Sequence, residues 1–168
     1  RNVVQDQAII NLVYHDGYLY GATSVRGGTG AADREDLSAK LFVYDVENKK
    51  KVAEVDLHDY INGLPKQIKM IAGIAADPNI DENGRMWGLV SETLFSWSFD
   101  KDTGKVTVKE ELSFDKSTCN TSSNRDSMPR PFVFDDVGYM YLAFNNNGGL
   151  RKINLNDPKD NVRILQTA

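Results

Sequence analysis

Ten residues of this 168-residue chain are candidates for recognising a polar ligand. They combine guanidinium, carboxylate, amide, imidazole and phenol groups, which suit a sugar or a peptide through bidentate hydrogen bonds and apolar stacking. They fall in a few short segments rather than along the whole chain. The candidate ligand-binding residues are Arg26, Arg34, Glu35, His58, Asp59, Tyr60, Arg125, Asp126, Arg130 and Asn146.

The chain contains no recognisable catalytic signature. Serine, histidine and aspartate are present, but no nucleophile elbow or repeated spacing joins any three of them. A pair of carboxylates such as Glu35 and Asp59 could flank a glycosidic bond, although the sequence gives no distance between them. We therefore predict no catalytic residue, and no enzyme activity for this segment alone.

The sequence predicts neither a metal site nor a cofactor. The two histidines, His15 and His58, lie in different segments without the spacing of zinc ligands. A single cysteine, Cys119, excludes an intramolecular disulfide and any multi-cysteine site. The glycines of residues 27–30 lack the Lys and Ser/Thr of a phosphate-binding loop and precede no convincing helix.

Charge and hydropathy exclude two classes of partner. With 20 basic and 24 acidic residues the net charge is -4, so no basic surface for nucleic acid is expected. The longest apolar run, residues 70–76, is far too short to cross a bilayer, so no membrane insertion is expected. A first residue of Arg rather than Met suggests a piece of a longer protein.

The sequence contains three related units, each predicted to form four short strands, at about residues 8–57, 70–114 and 131–166. Gly17, Gly84 and Gly138 each end an Asp-containing turn and precede the second strand of their unit. Such turns use Gly for its positive φ and Asp or Asn to bind free backbone amides. Aromatic and β-branched residues dominate the second and third strands. The pattern predicts twelve strands in three sets of four.

These units resemble the blades of a β-propeller. The segments that carry the resemblance are the turn and second strand DGYLYGAT and the third strands LFVYD and LFSWSFD. The match is to the broad superfamily of WD40-like, YVTN-like and quinoprotein-like repeats, and it covers nearly the whole chain. The closest likeness is to propeller segments of large secreted or surface bacterial proteins, some of which carry polysaccharide-processing modules. The resemblance implies an all-β fold, a partial β-propeller of about three four-stranded antiparallel blades, as one domain over residues 1–168. It also implies an extracellular or cell-surface location and carbohydrate as the leading ligand class.

In such a fold the connections emerge alternately at the two ends of each blade. The turns between strands one and two, and three and four, are short. The long connections, which include residues 24–38, 58–67, 115–130 and 145–149, all emerge at the other end, the long-loop face. Because loops on a rigid scaffold commonly carry function, we place the predicted ligand site there, where all ten candidates lie.

Three blades are fewer than the four that a closed ring usually needs. The predicted partners are therefore the remaining blades of a parent chain or a second copy, with a glycan or protein ligand. We expect a non-catalytic binding or scaffolding segment of a larger secreted or surface protein. Two alternatives are part of a polysaccharide lyase or glycoside hydrolase with its site at the propeller centre, and a protein-interaction scaffold. Convergence of His58, Asp59, Arg125 and Arg130 in one deep pocket would favour the enzyme.

Overall fold

The structure, a computed structural model, describes residues 3–26, 36–71, 73–79, 84–114, 132–144 and 149–165. These residues form twelve strands in three antiparallel sheets, and each sheet has its four strands side by side in chain order. The predicted all-β fold with three four-stranded sheets is confirmed. We call the sheets blades 1, 2 and 3.

Each blade is a simple meander whose strands are joined to their neighbours in sequence. Blade 1 contains β1 (Ala8–His15), β2 (Tyr18–Ser24), β3 (Leu41–Asp45) and β4 (Lys50–Val55). Blade 2 contains β5 (Gly73–Ala76), β6 (Met86–Val90), β7 (Thr93–Asp100) and β8 (Lys105–Ser113). Blade 3 contains β9 (Val133–Phe134), β10 (Tyr139–Phe144), β11 (Gly149–Asn154) and β12 (Asn161–Leu165). A short 3-10 turn, Leu57–Asp59, follows blade 1.

Two apolar cores lie between the blades. In the core between blades 1 and 2, the ring of Tyr20 packs edge-on against Trp97, with centroids 5.4 Å apart. The core between blades 2 and 3 joins Trp87 to Met140 and its neighbours. Because successive side chains of a strand point to opposite faces, Met86 enters the first core and Trp87 the second. Blade 2 is therefore buried on both faces.

Blades 1 and 2 repeat a glycine–phenylalanine pair between their second and third strands. Gly21 lies opposite Phe42, and Gly88 lies opposite Phe95. In each pair the ring covers the glycine so closely that a Cβ atom there would lie 2.1 or 2.2 Å from the ring carbon Cζ. Only glycine leaves room for the ring, so this pair fixes the local packing of both sheets.

At the end of the blades opposite the long-loop face, the connections between β1 and β2, β3 and β4, and β7 and β8 are tight turns. The carboxylate of Asp45 accepts a hydrogen bond from the backbone of Asn48 at 2.9 Å, and that of Asp100 accepts one from Thr103 at 3.1 Å. Hydrogen bonds from Asn48 lower the pKa of Asp45, and hydrogen bonds from Thr103 lower that of Asp100. These carboxylates are used to close turns.

Candidate functional site

Two described segments of the long-loop face are joined to each other. One is residues 36–40, at the end of the loop between β2 and β3, and the other is the connection from blade 1 to blade 2. The backbone amide of Ala39 donates to the carbonyl of Ile68 at 2.7 Å. The amide Nε2 of Gln67 donates to the carbonyl of Leu37 at 2.8 Å. These bonds join segments about thirty residues apart into one unit.

Apolar residues fix this unit to the blades beneath it. Leu57, Ile61 and Ile68 are at most 2% exposed and belong to the core between blades 1 and 2. Further along, the backbone amide of Val25 donates to the carbonyl of Lys69 at 2.9 Å. The sequence thus holds this part of the face by buried side chains and main-chain hydrogen bonds together.

His58 is fully engaged within the connection. Its Nδ1 lies 2.7 Å from Oδ1 of Asp56, and its Nε2 lies 2.9 Å from the carbonyl oxygen of Pro65. Both partners are acceptors, so the doubly protonated ring satisfies both. The Pro65 carbonyl foremost, and then the Asp56 carboxylate, raise the pKa of His58 against the opposing effect of burial. This histidine fastens the two ends of a loop and leaves no ring nitrogen for a substrate.

Asp56 is the centre of these contacts. Its carboxylate caps the 3-10 turn by accepting from the backbone amide of His58 at 3.1 Å, and it forms an ion pair with Lys40. Partial burial would raise the pKa of Asp56, but the hydrogen bonds from Lys40 and His58 outweigh that effect and hold it below its usual value. The contacts of Asp56 with Lys40 and His58 therefore link the start of β3 to the connection after β4.

An open groove of about 390 Å³ lies between the two segments. Its lining offers a carboxylate, a hydroxyl, an ammonium group and an amide. The hydroxyl of Ser38 also accepts from the backbone amide of Ile68 at 3.2 Å, which holds one wall in place. The residues of this loop groove are Asp36, Leu37, Ser38, Lys66 and Gln67.

The structure places four of the ten predicted residues. Arg26 is half-buried, and its backbone amide donates to Oγ of Ser24 at 3.1 Å. His58 contacts Asp56 and Pro65 as described above, whereas Asp59 and Tyr60 are exposed. The other predicted residues lie outside the described residues, namely Arg34, Glu35, Arg125, Asp126, Arg130 and Asn146.

Sequence reasoning missed Asp56, Lys40 and the loop groove. The pattern Asp56-Leu57-His58-Asp59 did contain a usable signal, because an Asp before a short turn commonly caps it. The ion pair with Lys40 joins residues 16 apart and has no comparable local signature.

A second polar cluster lies on blade 2. The carboxylate of Glu111, whose side chain is 4% exposed, accepts from Ser96 Oγ at 2.6 Å and pairs with Lys109 at 2.6 Å and Arg85 at 3.3 Å. The guanidinium of Arg85 stacks over the ring of Trp87 at 4.5 Å. A groove of about 420 Å³ borders this cluster. Because its charged groups pair with one another, the cluster offers little unpaired charge to a ligand.

Two further observations concern the described ranges only. No group of three or more His, Cys, Asp or Glu residues there is arranged to hold a metal ion. In the same ranges, no helix has the length and apolar character needed to span a membrane.

Comparisons with known proteins identify the fold. No family model and no curated protein sequence matches the chain. The solved luciferin-regenerating enzyme matches with a TM-score of 0.60 and 15% identity, over 96% of this chain and 48% of that one. The major allergen Mala s 1 of Malassezia sympodialis matches with a TM-score of 0.56 and 12% identity, over 98% of this chain and 53% of that one. Both are propeller-like folds.

The chain is a partial β-propeller. It spans about half the length of the two solved structures described above. The predicted architecture of three four-stranded antiparallel blades is therefore confirmed at the level of fold.

The predicted family was wrong. The chain resembles a luciferin-regenerating enzyme and an allergen in structure, and no family model supports the WD40-like, YVTN-like and quinoprotein-like repeats or the segments of large secreted bacterial proteins. The reason is physical. Turn glycines such as Gly17 and Gly138, at φ 83° and 98°, and aromatic third strands meet needs common to stacked four-stranded sheets. They indicate the architecture without distinguishing one propeller family from another.

Proposed function

We propose that the chain is a non-catalytic binding module that uses the long-loop face, with carbohydrate as the leading ligand class. The observation that carries this proposal is the loop groove, a polar depression on segments already held by hydrogen bonds such as Ala39 to Ile68. A site that is ordered before binding avoids the entropy of ordering loops around a ligand. The predicted extracellular or cell-surface location stays a prediction.

The lining favours a neutral, hydroxyl-rich ligand. Asp36 and Lys66 contribute one charge of each sign, so the groove carries no formal excess of charge. Ser38 and Gln67 add hydroxyl and amide groups, which both donate and accept. Several hydrogen-bond donors and acceptors close together match the hydroxyl groups of a sugar better than they match a ligand with one strong charge.

The geometry of His58 supports a binding role over a catalytic one. A general base needs a free nitrogen within reach of the proton that it removes. Here one nitrogen faces Asp56 and the other faces Pro65. The alternative lyase or glycoside hydrolase would therefore have to take its acid and base from other residues.

The test is a titration of the ¹⁵N-labelled chain with neutral and acidic oligosaccharides, followed by NMR. We expect shifts of the amides of residues 36–38 and 66–67. Asp36→Ala and Lys66→Ala should each weaken binding about fivefold, the equivalent of about 1 kcal/mol for one hydrogen bond. Lys159→Ala is the matched control, because Lys159 is exposed in the turn between β11 and β12 at the opposite end of the blades.

Two results would contradict this proposal. One is the absence of binding to every oligosaccharide, and the other is unchanged affinity in both groove variants. If a protein is bound instead and both groove variants abolish its binding, the long-loop face is a protein-interaction scaffold, the second alternative.

A further inference from the structure

The face of blade 1 turned away from blade 2 carries two rows of residues matched across its strands. In the first row, Leu12 lies opposite Gly21, which lies opposite Phe42. In the second row, Tyr14 lies opposite Leu19, which lies opposite Tyr44 on β3. Leu12 and Tyr14 are 52% and 66% exposed. We call this surface the free face of blade 1.

Blade 2 repeats these rows on the face that packs against blade 1. Its first row is Ile74, Gly88 and Phe95, in the same register as Leu12, Gly21 and Phe42. There Ile74 is 6% exposed and Phe95 is fully buried, both in the core between blades 1 and 2. The second row of blade 2, Ala76, Met86 and Trp97, matches Tyr14, Leu19 and Tyr44 of blade 1.

The free face of blade 1 thus has the construction of a face that receives a preceding blade. On blade 2 the same arrangement of an aliphatic residue, a glycine and a covering phenylalanine ring is buried by blade 1. Among the described residues, neither buried core forms on the free face of blade 1. Phe42 itself is only 1% exposed, but Leu12 and Tyr14 leave apolar surface open to solvent in the register of an interior face, and such a surface marks an interaction site.

On the outer face of blade 3, the face turned away from blade 2, the described residues form no buried core. Val133 lies opposite Tyr141 there, and Val162 lies opposite Lys152. Val133 and Val162 are 58% and 55% exposed, and Leu165, which lies opposite Leu150 beyond a bulge in β12, is 62% exposed. This apolar surface belongs to the last blade, whereas the free face belongs to the first.

We propose that two copies of this chain bind head to tail, with the outer face of blade 3 in each copy on the free face of blade 1 in the other. Three blades match about half the length of the two solved propellers, so a complete ring of that kind has about six blades. Two copies supply six blades. A head-to-tail contact that closes after two copies forms a ring rather than a filament.

Charge does not oppose this contact. Glu54 lies opposite Phe42 at the edge of the free face and forms an ion pair with Lys51, so this edge carries no net charge against Lys152 on the outer face of blade 3.

The experiment is sedimentation equilibrium of the 168-residue chain from about 1 to 200 μM. We expect a mass of twice 18.8 kDa, falling toward 18.8 kDa on dilution. Leu12→Lys should shift the midpoint of association at least tenfold and keep the circular dichroism spectrum, because Leu12 is half exposed. Val137→Lys, at a position that is 72% exposed in the turn between β9 and β10, is the control and should associate like the parent.

Cross-linking of a mixture of ¹⁴N- and ¹⁵N-labelled chains tests the arrangement. Head-to-tail closure predicts mixed-isotope cross-links between Lys51, which lies opposite Tyr44 on β4, and Lys152. A constant mass of 18.8 kDa at every concentration, growth beyond two copies, or mixed-isotope links only between Lys51 and Lys51 would each overturn the proposal. None of these readouts depends on carbohydrate binding, so the two proposals can fail separately.

Discussion

Replacing Gly88 by alanine tests the most specific packing feature of the fold. An ideal Cβ at this position would lie 2.2 Å from Cζ of Phe95 and within 2.8 Å of two further ring carbons. Carbon atoms normally approach to about 3.5–4.0 Å, so the ring would have to move by about 1.3 Å or more. Phe95 is completely buried between blades 1 and 2, so that movement displaces its neighbours.

The expected cost follows from two opposing effects. Overpacking a closed core costs about 1–3 kcal/mol, and the depth of this overlap points to the upper end. Alanine also reduces the entropy of the unfolded chain, which returns about 0.5–1 kcal/mol. Gly88→Ala should therefore lower the free energy of unfolding by about 2 kcal/mol. With a urea m-value of about 2 kcal/mol/M, the midpoint should fall by about 1 M.

Equilibrium urea unfolding at fixed pH and protein concentration gives the measurement. The double variant Gly88→Ala with Phe95→Leu is the control, because a smaller side chain makes room for the new methyl group. Its loss of stability should be smaller than the sum of the two single losses. A change below about 0.5 kcal/mol for Gly88→Ala, or full additivity in the double variant, would refute the reasoning about steric overlap.

Two other predictions concern the polar contacts. The Pro65 carbonyl and Asp56 raise the pKa of His58 in the folded chain above its unfolded value of about 6.5. The contribution of His58 to the free energy of unfolding is therefore complete below about pH 6.5 and is lost as the pH rises through the folded pKa. The stability difference between the parent and His58→Gln should accordingly shrink from pH 6 to pH 9 in urea titrations, and a constant difference would contradict this linkage. Trp87→Phe removes the 2.7 Å hydrogen bond from Nε1 to Asp77, whose carboxylate is buried, and should cost about 1–3 kcal/mol in the same assay. The loss should be smaller when Asp77→Leu is already present, and an equal loss in both backgrounds would show that the hydrogen bond contributes nothing.

The strand pattern was predictable because its determinants are local. The turns at Gly17 and Gly138 have the positive φ that their sequences indicated, at 83° and 98°. The alternation of side chains then places Trp87 and Trp97 in the two interblade cores. The glycine–phenylalanine pairing was not predictable, since it depends on the cross-strand register of Gly88 and Phe95, which the composition of either strand alone does not reveal.

The candidate site was less predictable because its contacts are long-range. The sequence shows His58 only as an imidazole in a long loop, whereas in the structure Asp56 and Pro65 contact both of its ring nitrogens. Whether a polar residue faces a ligand or another part of the fold depends on neighbours far along the chain. Gln67, bonded to Leu37 thirty residues earlier, shows the same dependence.

The two proposals make a joint statement about geometry. Copies that join head to tail around the propeller axis keep the same end of every blade on the same side of the ring. The loop groove at Asp36 and Lys66 would then occur twice on one surface, one groove from each copy. Two weak sites held on a rigid ring raise the apparent affinity for a repeating ligand without any new contact. A polysaccharide long enough to reach both grooves should thus bind the associated form more tightly than a short oligosaccharide does. Leu12→Lys should remove that difference and leave the affinity for the short oligosaccharide unchanged. Equal affinities of the associated form for both ligands would contradict this prediction and show that ring formation does not affect ligand binding.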